Sequence, residues 1–163
     1  MNPRQIRPKS GRRDLSALRD DVKEFVTELT RRYRDKLEQV KKLLLNESDK
    51  LHYMKSHNME RIFDLLEGDN EIIEAIDAID YDISQIETGL SNILGVPIKD
   101  IFNHLAAGRE EVTEVVSLRN DIGDAIKLLY RQRELLTDRL MSESQHLKNS
   151  IDEISRIGRL KIP

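Results

Sequence analysis

From Glu110 to Ile157 apolar residues return at steps of three and four. Val112, Val115, Ile122, Ile126, Leu129, Leu136 and Leu140 form the line, with Arg119 and Arg133 standing in its two gaps. This is the seam of a long amphipathic helix, expected over 109–157. A second line, Leu118, Ala125, Leu128 and Leu135, runs beside the first. Two adjacent seams serve two neighbours, so this helix is expected to be the shared wall of a helical bundle.

Earlier stretches repeat the pattern. Asp14 is placed to cap a helix over 14–45, whose stripe runs Leu15, Leu18, Val22, Phe25 and Leu29, then Tyr33, Leu37, Val40 and Leu44. The polar run Asn46-Glu47-Ser48-Asp49 could break this helix, and the sequence alone does not decide whether it does. Leu51, Met54, Met59, Ile62, Phe63 and Leu66 then resume a helix over 48–67. Glu67-Gly68-Asp69-Asn70 reads as a turn, with Gly68 suited to a left-handed C′ position and Asp69 or Asn70 to an N-cap. The helix expected over 69–94 has clean heptads from Ile72 to Ile93 and stops at Gly95 and Pro97. A short lid helix is expected over 98–107. The fold class is therefore all-α: an elongated antiparallel bundle with coiled-coil-like packing and a long last helix, in one domain over 14–163.

The expected lengths do not match. A helix over 69–94 spans ~39 Å and one over 109–157 spans ~74 Å at ~1.5 Å per residue. The apolar residues beyond Leu140, namely Leu147, Ile151 and Ile154, are then expected to meet the first helix, another copy of the chain, or a different protein.

Charge changes the picture at the N-terminus. Net charge is −3 over 163 residues, yet residues 1–13 hold Arg4, Arg7, Lys9, Arg12 and Arg13 and no acid. With Pro3, Pro8 and Gly11 and few apolar groups, this stretch reads as a flexible basic tail. Its arginines and lysine are candidate electrostatic contacts for an acidic partner, a phosphate backbone or a membrane surface. The cluster Arg31, Arg32, Arg34 and Lys36 is interleaved with Glu28, Asp35 and Glu38 and reads as a solvated face.

Candidate chemistry is sparse. The chain has no Cys and no Trp, so disulfides, thiolate metal sites and cysteine nucleophiles are excluded. No apolar run approaches the ~20 residues of a membrane span, and the N-terminus has no apolar signal core. A cytoplasmic protein is expected. Asp49-x-x-His52 and Glu143-x-x-His146 each place two ligand types on one helix face, as in di-iron bundles. Such a site also needs inward Glu residues from two other helices, and helix 69–94 turns Ile inward instead. The expectation is no metal, no cofactor and no catalysis. Arg119 and Arg133 read as long stems reaching from the seam to the bundle edge.

The order of elements carries a resemblance. A helix ends at Leu65-Leu66-Glu67-Gly68-Asp69 and a heptad helix at Ile93-Leu94-Gly95. A lid follows, and then a long helix containing Leu129-Tyr130-Arg131-Gln132-Arg133-Glu134-Leu135-Leu136. Over roughly residues 37–157 this layout resembles the FlgN-type flagellar export chaperones. Where those carry an Asn-rich stretch before the paired leucines, this chain has Tyr130, Gln132 and Arg133. The resemblance implies a cytoplasmic chaperone that binds helical C-terminal segments of hook–filament junction proteins and keeps them export-competent. It implies partner contacts at Leu136, Leu140, Met141 and Leu147. Ile151 and Ile154 join them because they need an apolar partner. Two other classes stay open: a self-associating coiled-coil structural or adaptor protein, and a nucleic-acid or membrane-surface binder acting through the basic tail.

Overall fold

The computed structural model describes residues 13–108, 112–143 and 155–163. Arg4, Arg7, Lys9 and Arg12 of the expected basic tail lie outside them, as do His146, Leu147, Ile151 and Ile154; Arg13 opens the first helix. Three long helices, α1 (Arg13–Lys55), α2 (Met59–Leu94) and α4 (Thr113–Glu143), form an all-α bundle. The short α3 (Ile101–Ala107), entered through a 3-10 turn at Ile98–Asp100, closes one end. Among the described residues no helix is long and apolar enough to cross a membrane.

α1 and α2 are antiparallel: Lys50 meets Asp69, Lys36 meets Asp80, Arg32 meets Asp82, and Gly89 faces the Phe25 ring. α4 runs parallel to α1. Glu114 near its start pairs with Arg34, while Leu136 and Leu140 near its end pack with Met54. The shared wall is thus α1, which packs on both α2 and α4, and not the last helix as expected. The second seam of α4 divides accordingly: Leu118 is buried and Ala125 half-buried, while Leu128 and Leu135 face out.

Neither internal break exists. α1 runs unbroken through Asn46–Asp49, and α2 through Glu67–Asn70. The hairpin instead turns at Ser56–Asn58, inside the stretch expected to be helical. His57 takes φ 54°, the left-handed conformation usually left to glycine. His57 N–H donates to the Met54 carbonyl at 3.2 Å and Asn58 N–H to the Tyr53 carbonyl at 2.9 Å. That pair of bonds is a Schellman ending, which satisfies carbonyls the helix would otherwise leave orphaned. Asn58 then caps α2, its side chain accepting from Arg61 N–H at 3.3 Å. Gly95, at φ 66°, ends α2 as expected.

Over the described residues the helices are closer in length than expected. At ~1.5 Å per residue, α1, α2 and α4 span ~65, ~54 and ~47 Å. α4 is described as far as Glu143, and residues 155–163 lie back along the bundle, so no single straight helix reaches 157. Ile157 is fully buried and Leu160 nearly so, both in the main core with Leu43, Ile73, Ile126 and Leu129.

Candidate functional site

The two stretches that read as breaks face each other. Asn46, Glu47 and Lys50 lie on one side of α1, and Asp69 and Asn70 sit opposite them on α2. Lys50 is completely buried, as is Glu47, and Asp69 is almost so. The Lys50 ammonium donates to both the Glu47 and Asp69 carboxylates, and Asn46 Nδ2 donates to Asp69 Oδ1 at 2.9 Å. Burial pushes the Glu47 carboxyl above its ordinary value, against the pull of Lys50. Glu47 Oε2 and the Oε1 of Gln132 on α4 are buried without a hydrogen-bond donor. Arg156 completes the layer by donating to Asn70 Oδ1.

This polar layer cuts the interior in two. On one side lies the main core. On the other, Met54, Ile62, Leu66, Leu136 and Leu140 form a separate apolar cluster beneath the hairpin turn. A buried ion pair adds little net stability, because desolvation offsets its Coulomb gain, but an unpaired buried charge is expensive. The layer therefore penalises every helix register except the one that pairs Lys50 with Asp69.

The cluster beneath the turn takes in two of the residues expected to contact a partner. Leu136 and Leu140 are fully buried against α1 and α2 and are core residues in the free chain. Met141 is 66% exposed. α4 also offers outward Val116, 38% exposed, and Leu128 and Leu135, 45% and 57% exposed; the two leucines are seven positions apart and so on one helix face. The heptad spacing marked them. What sequence reasoning missed is which of two adjacent seams α1 would take.

Arg119 and Arg133 stay half-buried. The Arg119 guanidinium lies over the Phe102 ring of α3 at 4.4 Å, and that of Arg133 lies 5.6 Å from the Tyr130 ring. Tyr33 is buried and donates its hydroxyl to Glu87 at 2.9 Å; burial and then the Glu87 charge raise its pKa. His52 and His104 are exposed, and His52 sits edge-on to Tyr53. Among the described residues no group of His, Asp and Glu is arranged to hold a metal ion.

A second feature lies between α2 and α4, where segment 155–163 fills the groove. It runs antiparallel to α4: Gly158 lies against the Arg133 guanidinium, the Leu160 carbonyl accepts from Tyr130 Oη at 2.6 Å, and Ile162 approaches Gly123. From α1, the buried Lys36 donates to Asp80 Oδ1 at 2.7 Å and to the Lys161 carbonyl at 3.2 Å. Arg159 and Lys161 share an open cleft of about 370 Å³ with Asp77, Asp80, Tyr81 and Ser84 of α2.

No family model, curated protein or solved structure matches the chain.

Proposed function

We propose that this protein is a non-catalytic helix-binding bundle, a cytoplasmic secretion chaperone for helical C-terminal segments of flagellar hook–filament junction proteins. The element order and the Leu129–Leu136 stretch support the reading through their resemblance to FlgN-type chaperones. The structural observation that carries it is the outward face of α4. Leu128 and Leu135 are exposed there on a helix whose other face is committed to the core. A client helix would lay its own apolar stripe along these residues, removing both stripes from water and blocking premature assembly. Met141, Leu147, Ile151 and Ile154 remain candidate contacts; Leu136 and Leu140 support the face from behind.

Titration calorimetry with a synthetic C-terminal helix of a junction protein tests the proposal. Burying a Leu side chain contributes roughly 1.5–3 kcal/mol, less here because both leucines are already about half covered. Changing Leu128 and Leu135 together to Ser should weaken binding roughly tenfold to a hundredfold, at ~1.4 kcal/mol per decade. If the unaltered protein does not bind such a helix, the reading fails. If the chain forms dimers that the double substitution dissolves, the same face serves self-association instead.

A further inference from the structure

We propose that the groove between α2 and α4 is a peptide-binding site, occupied in the free chain by its own residues 155–163. Its occupant in trans is a segment of a protein partner with apolar-x-x-apolar-x-apolar spacing and basic residues between. Ile157, Leu160 and Ile162 set that spacing, and Arg159 and Lys161 lie between them. The proposal concerns a surface separate from the outward face of α4.

The groove contacts its occupant as a peptide site does. Consecutive carbonyls, those of Leu160 and Lys161, are each taken by a side chain, Tyr130 from α4 and Lys36 from α1. Such contacts read main chain and tolerate a range of sequences. Side-chain choice is left to apolar positions at alternating depth, Ile157 and Leu160 buried and Ile162 45% exposed. The rim is electrostatically matched: Asp77 and Asp80 of α2 line the cleft that Arg159 and Lys161 share. Besides the Lys161 carbonyl, Lys36 holds Asp80 of α2 at 2.7 Å, a partner that belongs to the bundle and not to the segment. Gly158 and Gly123 each stand at a close approach between segment and groove. A Cβ at Gly158 would overlap Arg133, and one at Gly123 would come within 3.3 Å of Ile162.

The test uses the full chain carrying Ile157→Asp and Leu160→Asp, which dislodges the segment without deleting it. The probe is a fluorescein-labelled synthetic peptide of residues 155–163. The variant should keep its helical circular dichroism and bind the peptide at least tenfold more tightly than the unaltered chain does, measured by anisotropy. Asp77→Asn in the same background should weaken that binding and reduce its dependence on salt. A second measurement uses the unaltered chain. The amides of Gly158, Arg159 and Leu160, bonded to the carbonyls of residues 155–157, should exchange with deuterium through local release, faster than amides in the middle of α1. Loss of helix in the double variant, or exchange of these amides only on global unfolding, would make the segment part of the core and overturn the proposal. A folded variant that ignores the peptide would overturn it too. Concentration-dependent dimers of the unaltered chain that the double variant abolishes would give the groove to a second copy, not a partner.

Discussion

Replacing Lys50 with Met tests the polar layer directly. Met keeps most of the length and volume of the lysine stem but removes the ammonium. Glu47 would then be buried with no hydrogen-bond donor, and Asp69 would retain only the Asn46 amide, among the contacts described above. Removing one partner of a buried ion pair costs about 3–5 kcal/mol, much of it the cost of the charge left behind. A domain of this size has about 5–15 kcal/mol to lose. At roughly 2–4 °C per kcal/mol, the melting temperature should fall by about 6–20 °C. Urea melts followed by circular dichroism at neutral pH would measure the loss. A companion variant, Lys50→Met with Glu47→Leu and Asp69→Leu, removes all three charges and should recover most of it, because apolar replacement of a whole buried cluster is often neutral or stabilising. A single variant within ~1 kcal/mol of the parent would show that water reaches the layer and that it does not hold the register.

Acidity gives an independent view of the same layer. The Glu47 carboxyl is raised above 4.5 by burial, so between 4.5 and its folded value the folded state binds more protons than the unfolded one. Its contribution to stability therefore falls as pH rises through that window. Glu47→Gln should remove this slope, seen as the difference between the two proteins' pH–stability curves. Gly68 lies inside α2 with open space where a Cβ would go, so Gly68→Ala should stabilise by roughly 0.5–1 kcal/mol; a fall in melting temperature would mean that the chain does turn there. Leu140→Ala should cost about 2–5 kcal/mol as a core truncation, whereas Leu135→Ser should leave the urea midpoint almost unchanged.

Periodicity alone determined the helical class, the lid, the end of α2 at Gly95 and most buried seam positions, because three/four spacing places those residues on one face whatever packs against it. It did not determine where the chain turns. Glycine and polar runs mark turns only when their groups lack tertiary partners. Here Asn46, Glu47 and Lys50 found Asp69 across the hairpin, and helix through both stretches became the better-satisfied backbone. The real turn fell at His57, a residue whose left-handed conformation no composition rule favours as it does glycine. The candidate site divided in the same way. Leu136, Leu140 and Met141 are equally apolar in the sequence, and only the position of α1 and α2 buried the first two and left the third in water. Likewise the spacing of Ile157, Leu160 and Ile162 is visible in the chain, but the groove that receives them exists only once α2 and α4 stand on either side of Lys36.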